Sequence, residues 1–270
     1  MSEFRMPFRP QNSNKGTFGK VLNFAGSKNY IGAAYLSSLG ILKSGAGYVA
    51  LSSDKEIIKS VSILLPEAVY LSRYDGLKNI DKYTVCLIGC GIGKSFSAKS
   101  LVKKVIEKVN IPIVIDADGL NILSTLHGTK LPQNTIITPH LMEASRLLGI
   151  SVDEIAKDTQ GAARELVEKY NCTVVLKSHR TVVCDKDNLY INQHGNSALS
   201  KAGTGDVLAG IISGLTAQKM NLFESAKLGV YLHSIAGELA SKELSEYSVL
   251  ATDILKYLST AIKEIEIERS

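Results

Sequence analysis

Hydrophobic positions along the chain change period repeatedly. Short runs rich in β-branched residues read as strands: Val21-Leu22-Asn23-Phe24-Ala25, Thr84 to Ile88, Ile113 to Ile115, Thr135 to Ile137 and Thr173 to Leu176. Between them, Ala33 to Leu42, Ala98 to Val109 and Leu141 to Leu148 carry their apolar residues at helical spacing. This alternation predicts βαβ units and a mostly parallel sheet with helices on both faces. The pattern then breaks. Thr173 to Lys177, Thr181 to Cys184 and Leu189 to Asn192 are strand-like runs separated by turn residues, Asp185-Lys186-Asp187-Asn188 among them, which predicts an antiparallel portion. Three helical stretches follow: Asp206 to Gln218, Phe223 to Ser241 and Asp253 to Ile267. No linker, repeat or low-complexity block divides the chain, so a single domain over 1–270 is expected.

Composition narrows the class of ligand. With 270 residues, 45% hydrophobic and 21% charged, the chain has the makeup of an ordered α/β protein rather than a disordered one. Thirty-one Lys+Arg against 26 Asp+Glu leave a net charge of +5. There is no Trp, and the 11 Tyr and 6 Phe are not interleaved with cations as single-strand stacking requires. Nucleic acid is therefore not the expected partner, and small anionic ligands are. Met1 to Asn14 lacks the apolar core of a secretory signal, and no apolar run approaches the ~18 residues of a membrane span. Cys86, Cys90, Cys172 and Cys184 lie in or beside strand-like runs without CxxC spacing, which predicts buried reduced thiols in a cytoplasmic protein.

Three constellations could carry chemistry. Gly89-Cys90-Gly91-Ile92-Gly93-Lys94-Ser95 follows a strand and precedes a helix but fails both phosphate-loop registers: Ile88 stands where a P-loop needs its first glycine, and Lys94 where a dinucleotide loop needs its third. A glycine turn at the carboxyl end of a strand remains, either structural or open to a ligand. Asn196 to Asp206 is stronger, because Gly203-Thr204-Gly205-Asp206 runs straight into the helical spacing of Val207, Leu208, Ile211, Ile212 and Leu215. Unpaired amides and the helix dipole there would suit a phosphate; Asp206 as a mere N-cap would not call for Gly-Thr-Gly in front of it. Lys177-Ser178-His179-Arg180-Thr181 crowds cations, hydroxyls and an imidazole onto one turn, which would suit ribose and phosphate oxygens or be only a solvated basic turn. Smaller features are Thr138-Pro139-His140 before a helix with Glu143 and Arg146, a capping motif or a substrate contact; Asp116-Ala117-Asp118 at a strand end, a ligand position or a helix cap by Asp118; and Gly32-Ala33-Ala34 in the first helix, open to a ligand or to packing.

Taken in order, Lys15-Gly16-Thr17-Phe18-Gly19, Ala25-Gly26-Ser27, Gly32-Ala33-Ala34, Ser44-Gly45-Ala46-Gly47, Pro66-Glu67-Ala68, Gly89-x-Gly91, Asp116-Ala117-Asp118, Thr138-Pro139-His140-x-x-Glu143, Leu176-Lys177 and Gly203-Thr204-Gly205-Asp206 resemble the ADP-dependent NAD(P)H-hydrate dehydratases of the ribokinase-like superfamily. The resemblance runs from about residue 15 to 240. It implies a three-layer αβα sandwich, repair of hydrated NADH or NADPH with ADP (ATP in eukaryotes) as phosphoryl donor, Mg²⁺ carried with the nucleotide, and a homotetramer. On the family's pattern Lys177, Ser178, His179, Arg180, Thr181 and Gly205 would contact the nucleotide, and Ala33, Gly91, His140 and Asp206 the hydrate. Asp206 would be the catalytic base, with Gly203, Thr204 and Gly205 forming an anion hole. The family's frequent epimerase domain has no room in these 270 residues, so an epimerase would be a separate chain or a domain cut away from this one. Departures are Leu141-Met142 for Pro-Gly, Gly119 for Ala, Cys90 for Pro and Asn14 for His. An ATP-dependent small-molecule kinase and a non-catalytic nucleotide sensor of the same superfamily are the alternatives.

Overall fold

The elements follow one another as β1 (Lys20–Phe24), α1 (Ile31–Lys43), β2 (Tyr48–Ser53), α2 (Lys55–Leu64), β3 (Val69–Ser72), α3 (Arg73–Lys78), β4 (Val85–Ile88), α4 (Phe96–Lys108), β5 (Ile113–Ile115), α5 (Asp118–Leu123) and β6 (Thr135–Ile137). They continue with α6 (Leu141–Leu148), α7 (Val152–Lys157), α8 (Thr159–Tyr170), β7 (Thr173–Leu176), β8 (Val182–Cys184), β9 (Leu189–Ile191), α9 (Thr204–Ala217), α10 (Leu222–Leu244) and α11 (Ala251–Ile267). This computed structural model describes residues 4–267; residues 1–3 and 268–270 of the expected 1–270 domain lie outside the described residues.

One sheet of nine strands has the order β3-β2-β1-β4-β5-β6-β7-β8-β9. The strands through β7 pair in parallel, while β8 and β9 are antiparallel. The expected hairpin turn closes with Asp185 Oδ1 accepting the Asp187 and Asn188 amides at 3.0 and 2.7 Å. β2 and β3 were not singled out by pattern: Ser52 and Ser53 end one, and the other is a sheet edge with Val69 exposed.

Period-two alternation sorts the strand side chains into layers. Leu22, Phe24, Cys86, Ile88, Ile113 and Ile115 pack against α4, α5, α6 and α8, while Val21, Leu51, Val85, Leu87 and Val114 pack against α1, α2, α9 and α10. The chain leaves β1 in one direction through α1 and α2, then returns to β4 on the other side of β1. Right-handed crossovers in opposite directions must place their helices on opposite faces, which produces the sandwich and a topological switch between β1 and β4. At that switch the Gly26 amide donates to the Cys90 carbonyl at 2.9 Å.

Helix α9 is apolar nearly all round because it lies between two apolar surfaces. Leu208, Ala209 and Ile212 face the sheet, and Val207, Ile211 and Leu215 face α10 and α11. Small residues bring it close to α1: a β-carbon on Gly210 would stand 2.3 Å from the Ser37 carbonyl oxygen. Ala33 and Ala34 are buried in α1, whereas Gly32 faces open space. This packing fixes where the amino end of α9 points.

Candidate active site

The carboxyl ends of β4, β5, β6 and β7 meet the amino end of α9. β5 ends in Asp116, whose Oδ1 accepts from Lys177 Nζ at 2.7 Å and from Thr138 Oγ1 at 2.7 Å. Lys177 follows β7, and its amide donates to the Pro139 carbonyl at 2.7 Å, prolonging the β6–β7 pairing. Asp116 is buried and the Lys177 side chain is 19% exposed. Burial works against the lysine's charge, but the Asp116 and Glu143 carboxylates more than offset it and hold its pKa above the usual value. Ala117 takes φ 49° and ψ −119°, a strained backbone for a residue with a β-carbon. The flanking carboxylates diverge around it: Asp118 Oδ2 accepts the Gly93 amide at 2.8 Å, so it staples the β4–α4 glycine turn to β5 and makes no cap bond in α5.

At α9 the N-cap is Gly203, in the left-handed region at φ 92°, and no side chain caps the helix. Thr204 Oγ1 donates inward, to the carbonyls of Leu199 and Lys201 at 2.8 and 2.9 Å. The amides of Gly205 and Asp206 therefore have no acceptor among the described residues. Asp206 is the third helical residue and is not the cap, which disposes of the capping explanation for it. A β-carbon on Gly205 would stand 3.5 Å from Lys177 Nζ, so the ammonium lies beside the amino end of α9. Burial pushes Asp206 up to about 7, with Asp116 and Asp118 adding to the rise and the Cys90 thiol and Lys177 opposing it.

The remaining expected residues fall into two groups. Gly91, at φ 61°, abuts Ala33 so closely that a β-carbon would stand 2.7 Å from the alanine's own, placing both at the β1–β4 switch. His140 is the N-cap of α6: its Nδ1 accepts the Met142 and Glu143 amides at 3.1 and 3.2 Å, which leaves its proton on Nε2. That Nε2 faces Glu143 Oε1 at 3.3 Å. Burial and the nearby Lys177 lower the His140 pKa, so the ring is a neutral donor near pH 7; burial raises that of Glu143.

Beside these groups opens a cavity of about 600 Å³ lined by His140, Lys177, Ser178, His179, Thr181, Thr204 and Gly205. Arg180 does not line it; its guanidinium donates to the Gln193 carbonyl. Ala33, Gly91, Gly203 and Asp206 lie outside this cavity, and Asp206, close to Cys90, marks where the cleft meets the β1–β4 switch. Asn196 and Lys201, from the Asn196 to Asp206 stretch, also line the cleft, whereas sequence reasoning missed Asn192, His194 and His233. Asn192 and His194 belong to a polar loop, where composition carries no sign of direction. His233 is buried in α10, bonds the Thr204 backbone, leaves Nε2 without a partner among the described residues, and is driven down to about 4 by burial.

Cys90, Asp116 and Asp206 each place one donor atom within 4.8 Å of the others. A hard divalent ion seeks about six oxygen ligands. Here Lys177 and Thr138 already occupy Asp116 Oδ1, and the third donor is a thiol. These side chains make no cage for a resident magnesium ion, which would instead be held by the phosphate oxygens of a nucleotide. All four cysteines are unpaired and buried. No helix among the described residues is long and apolar enough to cross a membrane.

Comparison with known proteins gives these features relatives. The family model for NAD(P)H-hydrate dehydratase matches residues 21–260. A bifunctional NAD(P)H-hydrate repair enzyme of Coxiella burnetii is 38% identical over 95% of this chain, which spans about half (53%) of that protein's length. Among solved structures, a ribokinase-like superfamily protein of Enterococcus faecalis superposes with TM-score 0.89 at 31% identity, covering 96% of this chain and 92% of the other. The ADP/ATP-dependent NAD(P)H-hydrate dehydratase of Bacillus subtilis, co-crystallised with ATP and Mg²⁺, superposes with TM-score 0.86 at 32% identity, covering 96% and 94%.

Proposed function

The chain belongs to the NAD(P)H-hydrate dehydratase family, and from that premise we propose that it is an ADP-dependent (S)-NAD(P)H-hydrate dehydratase. The observation that carries this reading is Asp206, a carboxylate raised to about 7 beside two unpaired helix amides and an ammonium, where the 600 Å³ cleft meets the β1–β4 switch. Nucleotide would occupy the cleft, with its diphosphate at Lys177, Ser178 and Thr181 and its terminal phosphoryl group at the Gly205 and Asp206 amides. The hydrate would lie over Ala33 and Gly91, with His140 Nε2–H as a donor to it.

Hydroxide is a poor leaving group, which is why a phosphoryl donor is needed. Asp206 takes the proton of the C6 hydroxyl as its oxygen attacks the terminal phosphorus of ADP, and AMP leaves. Lys177 and the free amides, already oriented, stabilise charge on the transferring group. The nicotinamide nitrogen lone pair then expels phosphate from C6, and loss of the C5 proton restores the C5–C6 double bond. Products are NAD(P)H, AMP and phosphate. Magnesium bound to the nucleotide's own phosphate oxygens would supply charge neutralisation there. A homotetramer, a cytoplasmic location and an epimerase as working partner complete the proposal; exposed Ile63, Leu64, Val69 and Tyr74 near the β3 edge support self-association.

Purified protein with ADP, Mg²⁺ and the (S)-hydrate should regenerate NADH absorbance, and Asp206→Asn should reduce the rate by about 10²–10⁴ while retaining nucleotide binding. An unchanged hydrate would defeat the proposal, and a stable phosphorylated product without elimination would instead mark a small-molecule kinase.

A further inference from the structure

The loop that leaves β9 supplies one wall of the cleft, because Asn192, His194, Gly195 and Asn196 all line it. A loop has no regular ladder to fix it, so its place depends on side chains from elsewhere. Tyr190, in β9, donates its hydroxyl to Asn192 Oδ1 at 3.0 Å, and Asn192 Nδ2 donates onward to the His194 carbonyl at 2.8 Å and to Ser234 Oγ at 2.9 Å. Tyr231, in α10, meets the His194 ring at 89°, with centroids 5.2 Å apart. The Gly195 amide donates to Glu238 Oε1 at 2.6 Å. Two tyrosines and a glutamate therefore hold the wall.

Both tyrosines are gripped by one residue that lies far from them in the chain. The half-buried Phe4 ring stacks on Tyr231, with centroids 3.8 Å apart and planes at 14°, and stands edge-on to Tyr190 at 5.9 Å and 82°. Lys227 Nζ lies over the Phe4 and Tyr190 rings, 5.3 and 5.4 Å from their centroids. None of these four side chains lines the cleft. We propose that Phe4 is a positioning residue for the nucleotide: by packing against Tyr190 and Tyr231 it fixes the 192–196 loop, and without it the wall loosens and the cleft binds nucleotide less tightly. Lys177, Gly205 and Asp206 are carried by β7 and α9, so the chemical step is spared. The inference rests on the cleft being the nucleotide site of the proposed reaction, and the test keeps the two apart.

The test compares Phe4→Ala with Phe4→Tyr in the full chain, measuring the Kd of ADP by calorimetry, KM and kcat for hydrate dehydration, and the NMR resonance of the His194 Cε1–H. In Phe4→Ala the Kd and KM for ADP should rise about three- to tenfold, the size of a lost aromatic pair, with kcat unchanged within about twofold. The His194 resonance, which senses the Tyr231 ring, should shift in the same variant, and Phe4→Tyr, which keeps the aromatic face, should restore both. Where Phe4→Ala melts without cooperativity, Phe4→Leu, which keeps bulk without an aromatic face, replaces it. An unchanged Kd, a Kd raised as far in Phe4→Tyr, or a raised Kd with the His194 resonance unmoved overturns the positioning role, as does a kcat that falls while KM holds. Weakened ADP binding in a protein that turns over no hydrate upholds the role and sinks the dehydratase reading alone. No ADP binding by the unsubstituted protein overturns both.

Discussion

Replacing Asp206 by asparagine should make the protein more stable at neutral pH, and the gain should depend on pH with a defined sign. The carboxyl sits at about 7 in the folded chain against an ordinary 3.8, chiefly because burial disfavours its charge. Below about pH 4 the group is protonated in both folded and unfolded chains, and the substitution changes little. Between about 4 and 7 the unfolded chain ionises first, the folded chain binds more protons, and stability falls as pH rises. Above about 7 both forms are ionised and the penalty is at its full value. The difference between about 7 and 3.8 is roughly three pH units, which at about 1.4 kcal/mol each gives a ceiling of ~4 kcal/mol. Asp206 is only partly buried by surface area, so solvent screening brings the expected gain to ~2–3 kcal/mol. For a chain of this size that is a rise in Tm of about 4–6 °C. Paired thermal and urea unfolding of both proteins at pH 4, 6 and 8, without nucleotide, measures it. Equal stability at pH 8, or a gain as large at pH 4 as at pH 8, would refute the claim that folding holds this carboxylate at a cost in exchange for its basicity.

Other substitutions separate placement from chemistry. Gly205→Ala meets nothing closer than Lys177 Nζ at 3.5 Å and has helical backbone, so stability should hold within about 1 kcal/mol while KM for ADP rises as the methyl crowds the phosphate site. Gly210→Ala, five residues along the same helix, would stand 2.3 Å from the Ser37 carbonyl and should cost about 1–3 kcal/mol; denaturation curves and nucleotide kinetics on the pair check both. Lys177→Met leaves Asp116 buried with Thr138 as its remaining strong donor, and should lower stability by about 3 kcal/mol and abolish turnover. Adding Asp116→Asn should recover most of the stability and none of the activity; a double variant as unstable as the single one would count against the ion-pair account. Chelation of Mg²⁺ should halt turnover with no fall in the Tm of nucleotide-free protein, since the side chains hold no structural ion, and a fall would contradict that.

Local pattern reached far into this protein because local chemistry decides much of it. The β-branched runs at 113–115 and 135–137 and the helix at 141–148 lie where apolar periodicity places them, and the glycine run before Asp206 announces a helix start whose amides a side chain cannot cap. β2 and β3 were harder, since Ser52 and Ser53 weaken one and an exposed edge weakens the other. The resemblance named residues from distant parts of the chain, but it could not place Arg180 outside the cleft or Asp118 on the Gly93 amide. Nor does any linear pattern say that Lys177 answers Asp116, 61 positions earlier, or that His233 closes on the Thr204 backbone. Periodicity records which side of an element avoids water, and that is a property of neighbours in the chain. Which charges meet, which carboxylate loses its water and which amides stay unpaired depend on strand order and on the approach of α1 to α9, and only the folded chain sets those distances.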